Sequence, residues 1–365
     1  AHKYRLRNIG GTSAGAVAAA LAAAAEYRRE DRGFERLGAV ADELKQDGFI
    51  RRLFQGSKET EPLLRVLVKA GQYMKDVKAL IARARKGERL RLVLAFGRSL
   101  YRVFKDSGIG TLAGRLIGFL KGLAVALVLA ALIWALAKLF DRATDNLFVY
   151  SAAVLGVVCG IAGYWMGGLA AGAERIFDLV AEKVPQNLFG ICSGKHDPGN
   201  PAYSGVAATE WLLDRVQCIA GRQTGQDYLT FEDLSSKENY KIDLQFMTTD
   251  ISAGRPYVLP FDEWFVFNKE QLGRLFPEAV VTHLSEHARV VPGLHLPDGY
   301  CFLPPKGKWP IAFAARLSMS FPFLFSSVPL YRLPRIVERV IKRPDPDNPY
   351  SVMLMEAGLM GKKLR

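Results

Sequence analysis

Gly11-Thr12-Ser13-Ala14-Gly15 is a Gly-x-Ser-x-Gly pentapeptide set between two segments of different pattern. Tyr4-Arg5-Leu6-Arg7-Asn8-Ile9 before it is short and suits a strand. Ala16 to Ala25 after it is almost all alanine, the best helix former. Strand, tight turn and helix in that order are the setting in which such a turn presents a nucleophilic serine. Gly11 and Gly15 lack side chains, so the chain can reverse sharply and bring helix and strand close. Ser13 then projects from the turn above a helix N-terminus, where unpaired N–H groups favour developing negative charge. The same residues also suit a plain small-residue turn into a helix. The strand before and the helix after favour the nucleophile.

The second feature is apolar. Gly122 to Ala137 carries no charge and sits in the mostly apolar stretch Leu116–Phe140. After Asp141-Arg142-Ala143-Thr144-Asp145, Leu147 to Ala173 is again uncharged. A helix needs about 20 mostly apolar residues to cross a bilayer. The second run meets that alone, and the first meets it if Lys121 and Lys138 snorkel to the head groups. A tight connection makes the pair a hairpin with both ends on one side. Gly156, Gly160, Gly163, Gly167 and Gly168 offer small surfaces for close helix packing. A buried helical pair in a soluble domain is the alternative; uncharged runs of this length favour the membrane.

The 365 residues allow two or three domain-sized units, and 49 basic against 36 acidic residues give a net charge of +13. Much of the excess lies before the first apolar run, including Lys75, Lys78, Arg83, Arg85, Arg98 and Lys121. Basic residues beside spans favour the cytoplasmic side and hold a protein to anionic lipid. No nucleic-acid recognition motif accompanies the charge, so nucleic acid is not expected as a partner. Cys159, Cys192, Cys218 and Cys301 are scattered, without Cys-x-x-Cys, which leaves out a zinc ribbon and a redox pair. The chain opens without methionine and reaches the pentapeptide within its first turns, so residue 1 is expected to lie inside a longer domain.

Three regions follow. Residues 1–110 hold the serine turn, its helix and a basic, largely helical stretch. Residues 111–175 are the apolar hairpin. Residues 176–365 are mixed: Ala207–Ala220 has helical spacing, Asp243–Thr249 alternates like a half-buried strand, and Lys269–Leu275 and Glu278–Val290 read as helices.

Several stretches together resemble the patatin-like phospholipases. Gly10-Gly11-Thr12-Ser13-Ala14-Gly15-Ala16 is similar to the family's nucleophile segment. Thr230-Phe231-Glu232-Asp233-Leu234 resembles the entry to its second half. Phe246-Met247-Thr248-Thr249-Asp250 with Gly254-Arg255-Pro256 resembles the strand and turn that follow. Ala314-Ala315-Arg316-Leu317-Ser318-Met319-Ser320-Phe321-Pro322-Phe323-Leu324-Phe325 is similar to the segment preceding the family's catalytic aspartate. The likeness covers residues 1–60 and 185–335 in patches. It implies an α/β sheet flanked by helices, here with an inserted transmembrane hairpin. It also implies a serine–aspartate dyad that cleaves lipid acyl esters without metal or cofactor. A glycine-rich loop would supply N–H groups to the oxyanion.

The chain departs from the family pattern at both ends. No glycine-rich loop precedes Tyr4, and no Asp-Gly-Gly or Asp-Gly-Ala follows Pro329. Glu356-Ala357-Gly358 stands in roughly the corresponding place, which makes Glu356 a weak candidate base, one methylene longer than aspartate. Asp298-Gly299 and Asp47-Gly48 read as turns. The expectation is an internal piece of a longer enzyme. His283-Leu284-Ser285-Glu286-His287 matches a zinc-protease pattern but lacks a third ligand, and a surface helix is the preferred reading. An ordinary α/β-hydrolase would need more strands upstream and a supported histidine.

The resulting expectation is a membrane-anchored, patatin-like serine acyl hydrolase in the cytoplasmic membrane. Ser13 is its nucleophile, Gly11 and Gly15 form its elbow, and membrane phospholipid or another acyl lipid is its substrate. The competing class is a catalytically incomplete membrane scaffold or partner-binding protein. Head group, acyl position and oligomeric state are not legible.

Overall fold

The extended run before the pentapeptide continues into it. β1 is Asn8–Thr12, and α1 starts directly at Ala14 and runs to Tyr27. The structure, a computed structural model, describes residues 4–83, 112–139, 145–223, 225, 227–236, 241–291, 296–319, 321 and 323–333. α2 (Gly33–Lys45) and α3 (Phe49–Leu53) follow. Next come α4 (Glu61–Arg83), α5 (Leu112–Leu139), α6 (Asp145–Asp178), a π turn at Leu179–Lys183 and α7 (Val184–Gln186). The rest of the chain alternates. It holds β2 (Gly190–Cys192), α8 (Ala208–Ala220), α9 (Phe231–Ser235), β3 (Asp243–Asp250), β4 (Arg255–Leu259) and β5 (Phe265–Asn268). It ends with α10 (Lys269–Gly273), α11 (Glu278–Glu286), β6 (Tyr300–Phe302), α12 (Ile311–Ser318), β7 (Phe323–Phe325) and β8 (Tyr331–Arg332).

These elements form two units, Ala1–Lys58 with Asn187–Arg365, and Glu59–Gln186. The helix α4 therefore groups with the apolar pair, not with the serine turn, and the unit boundaries fall at 58 and 187 instead of 110 and 176. Around the junction in the first unit, the Ser57 N–H donates to the Ile191 carbonyl at 3.4 Å, and Gly56 bridges Cys192. The insertion thus leaves and re-enters at neighbouring points, so it stretches no loop of the unit that hosts it.

The first unit is a mixed helix-and-strand fold with small sheets. β1 runs parallel to β3 with Thr12 opposite Met247, and β3 turns back into antiparallel β4. β2 pairs with β7 in parallel, and β5 lies between β6 and β8. Among the described residues no sheet exceeds three strands. The alanines of α1 explain how so small a sheet is covered. Ala16, Ala19, Ala20, Ala23, Ala24 and Ala25 are buried, with Leu21 among them. Methyl side chains let β1, β3, α2, α8 and α12 all approach one helix. At its C-terminus the buried carboxylate of Glu26 accepts two bonds from Arg29, at 2.9 and 2.5 Å.

Arg316 of α12 ties the other sheet to this helix layer. Its Nε donates to Thr209 Oγ1 at 3.1 Å, and its Nη2 donates to the carbonyls of Ser193 and Ser326 at 2.9 Å. The guanidinium lies over the Phe325 ring. Complete burial pushes its pKa down to about 10, still cationic at neutral pH. The planar fork suits three fixed acceptors in a way that a lysine ammonium would not.

In the second unit, Gly114–Lys138 and Val149–Gln186 are long and apolar enough to cross a membrane. α5 and α6 pack through glycines on both helices. A Cβ on Gly118 would lie 2.1 Å from the Gly163 carbonyl oxygen, and one on Gly122 would lie 2.1 Å from that of Cys159. A Cβ on Gly167 would lie 2.4 Å from the Gly114 carbonyl oxygen. Gly114, Gly118 and Gly122 recur every fourth residue and form the half of the seam that the sequence reading passed over. Gly156 is different: a Cβ there would only touch Leu123 at 3.8 Å. Replacement Gly118→Ala is therefore expected to lower stability by about 1–3 kcal/mol through overpacking against backbone. Gly156→Ala is expected to be neutral or stabilising by up to about 1 kcal/mol. Thermal unfolding of the two variants in the same lipid checks the contrast.

Candidate active site

Ser13 sits between β1 and α1 with φ 53° and ψ −122°. A left-handed φ is uncommon for any residue but glycine, and holding it costs on the order of 1–3 kcal/mol. Such strain at a strand-to-helix serine is what an elbow requires, because it lifts the side chain clear of both elements. Ser13 is exposed, and among the described residues no hydrogen bond reaches its hydroxyl. The Ala16 N–H donates to the Ser13 carbonyl at 3.0 Å. The preceding amides of Ala14 and Gly15 open the first turn of α1, where no intrahelical acceptor exists.

Two supports hold the turn. The first is steric and falls on Gly11: a Cβ there would lie 2.2 Å from the Gly15 carbonyl oxygen. Gly15 has nothing within 4 Å of its own Cβ position, so the two glycines are not equivalent. Helix lies on strand at Gly11, and Gly15 merely supplies the backbone that Gly11 touches. The second support is a relay of hydrogen bonds. The Ser13 N–H donates to Ser318 Oγ at 3.1 Å, and that hydroxyl donates onward to the Met247 carbonyl at 2.6 Å. Ser318 ends α12, Met247 is the register partner of Thr12, and Thr248 Oγ1 donates to the Leu317 carbonyl at 3.0 Å. A serine 305 positions away in sequence thus clips the strained amide to the sheet.

Beside Ser13 opens a cavity of about 710 Å³, within the range of ligand pockets. α1 contributes Ser13, Ala14, Val17, Ala18 and Leu21; α2 contributes Leu37, Val40, Ala41 and Leu44. Each set recurs at helical spacing, so one face of each helix forms a wall. Trp211 and Leu212 of α8, with Phe325 of β7, are buried at the base, while Phe321 is exposed at the rim. Ser13 carries the only hydroxyl among the lining residues described. Glu43 fixes the base by accepting from Trp211 Nε1 at 3.3 Å and from Arg215 Nη2 at 3.1 Å.

Glu356, the candidate base, is outside the described residues, as is the basic stretch from 84 to 111. His283 of α11 and His287, which caps its C-terminus, stack at 4.4 Å. His283 Nε2 is 3.1 Å from the Lys308 carbonyl oxygen, an atom that only an N–H can satisfy, so this nitrogen is a donor and not a metal ligand. Burial pushes the His283 pKa below its ordinary value, with the Lys308 carbonyl bond acting against it. Among the described residues no group of three metal-ligating side chains occurs.

Two outcomes follow from the supports of Ser13. Gly11→Ala is expected to collapse the turn, whereas Gly15→Ala is expected to fold normally; probe labelling of Ser13 and thermal unfolding read both. Ser318→Ala leaves the Ser13 N–H without its acceptor and is expected to cost about 1–3 kcal/mol, measurable by denaturant unfolding.

No family model matches the chain, and no solved structure matches it. It is similar to a curated protein of Rhizobium meliloti (strain 1021) named RpoH suppressor. The two are 32% identical over 354 residues, covering 91% of this chain and 49% of that protein. The chain therefore spans about half the length of the curated relative it matches.

Proposed function

We propose that this chain carries the nucleophile of a membrane-anchored, patatin-like serine acyl hydrolase acting on lipid acyl esters. The observation that carries the reading is Ser13 itself: a strained, exposed serine at the mouth of an apolar cavity of about 710 Å³. A polar substrate would leave such walls unpaired, whereas an acyl chain matches them.

The chemistry follows from those positions. Ser13 Oγ attacks the ester carbonyl carbon while its proton passes to a carboxylate base. The carbonyl oxygen becomes an oxyanion beside the Ala14 N–H at the start of α1, one of the donors such turns supply. The bond to the alcohol oxygen then breaks, and the alcohol leaves with the base's proton. Water, deprotonated by the same base, repeats the attack and releases the carboxylic acid. The resemblance assigns the base to an aspartate, and Glu356 is the candidate from this chain. No metal or organic cofactor enters these steps.

Two apolar helices, with basic residues before the first of them in the sequence, support placement in the cytoplasmic membrane with the first unit in the cytoplasm. Anchoring raises the local concentration of lipid without any pocket contact. A second reading, a membrane scaffold with no turnover, is favoured by one observation: among the described residues no carboxylate bonds Ser13.

Labelling with a fluorophosphonate probe in membranes separates the two. The hydrolase reading expects Ser13 to label, in this chain or in one extended to the relative's length, and Ser13→Ala to lower ester hydrolysis by about 10³-fold or more. A folded, extended protein whose Ser13 stays unlabelled would leave the scaffold.

A further inference from the structure

The cavity beside Ser13 has an architecture of its own. Its α1 wall runs from Ser13 to Leu21, two helical turns further on. That is roughly 12 Å at 1.5 Å per residue. Leu21 and Trp211 in its lining are each 4% exposed, while Ala18 of α1 and Ala41 of α2 line it from exposed positions. Two helices that meet across alanines keep a slot open between them, and any larger side chain at either position would narrow it. Little along the slot can pair with a polar substituent: Ser13 carries the only hydroxyl among the lining residues described, and the Trp211 indole N–H is taken by Glu43.

We propose that the α1–α2 slot is an acyl-chain ruler that takes one unbranched saturated chain, its carbonyl at Ser13 and its methyl end near Leu21, with Ala18 and Ala41 as the gauge. This inference rests on the acyl-hydrolase reading of Ser13 and adds a chain length to it. Three backbone bonds span about 3.8 Å, so each carbon–carbon bond advances about 1.25 Å and the slot holds about ten carbons. Shorter chains leave apolar wall uncovered, and longer ones emerge into solvent. Preference therefore rises with each methylene by about fourfold up to that length and then levels.

The test uses the whole chain in lipid nanodiscs with p-nitrophenyl butyrate, octanoate, decanoate and palmitate. Wild-type kcat/KM is expected to climb to decanoate and flatten towards palmitate. Ala18→Phe is expected to lower the decanoate-to-butyrate ratio of kcat/KM by at least about 100-fold. Ala41→Phe, on α2, provides the same reading should the first variant fail to fold. A ratio within about threefold of wild type in both variants overturns the ruler and leaves the hydrolase standing.

A second readout needs no turnover. Decanoate brominated at its terminal carbon is added to Ser13→Ala protein, and the part of tryptophan quenching lost in Trp211→Phe is followed. Quenching that Ala18→Phe abolishes supports the ruler even where no ester is cleaved, which separates it from the hydrolase reading. Absence of Trp211 quenching by the brominated chain overturns it.

Discussion

One strained peptide, at Ser13, ties together β1, α1, β3 and α12 of the first unit. Ser13 can hold a left-handed backbone only because its neighbours leave it no cheaper choice. Gly11 meets the backbone of Gly15 at a distance that admits no side chain, and Ser318 takes the Ser13 N–H and passes the load to the Met247 carbonyl. Strain of a few kcal/mol is a large fraction of a domain's net stability, so it persists where surrounding contacts over-determine it. Here the contacts come from β1, β3 and α12, whose mutual positions are set by the parallel register of Thr12 with Met247.

α1 serves two faces with one residue type. On the sheet side, alanine methyls allow close packing and leave Ala16, Ala20 and Ala24 fully buried. On the other side, Ala14 and Ala18 stay small and open the cavity towards α2. A leucine-rich helix would satisfy the first role and fill the second. The alanine run is therefore a compromise between a tight core and a ligand-sized void, and the void includes the one described lining residue that carries a hydroxyl.

The second unit follows a different logic. Its helices hold together through glycines that let carbonyls and Cα atoms touch, the packing suited to a lipid surround in which apolar side chains gain little by meeting each other. Its chain ends return to bridged positions at Gly56 and Cys192, so the first unit closes its own hydrogen bonds across the insertion.

Local features were legible in the sequence. The serine turn, the alanine helix, the two apolar runs and the alternating strand begun at Asp243–Thr249 each depend on residues a few positions apart. Helix and strand periods and side-chain volume act at that range. The strand boundaries shifted, since β1 runs through Gly10 and Gly11, whose pairing with β3 outweighs their weak intrinsic preference for strand. The clip from Ser318, the fork of Arg316 and the Gly114–Gly118–Gly122 half of the helix seam were not legible, because each takes its meaning from a partner far away in the chain. The same holds for the cavity, assembled from α1, α2, α3, α8 and Met319, Phe321, Leu324 and Phe325. Sequence alone determined which serine could be strained and which helices are apolar enough to span a bilayer. Tertiary structure alone decided what faces that serine, since a void is defined by how distant segments approach and no single segment encodes it.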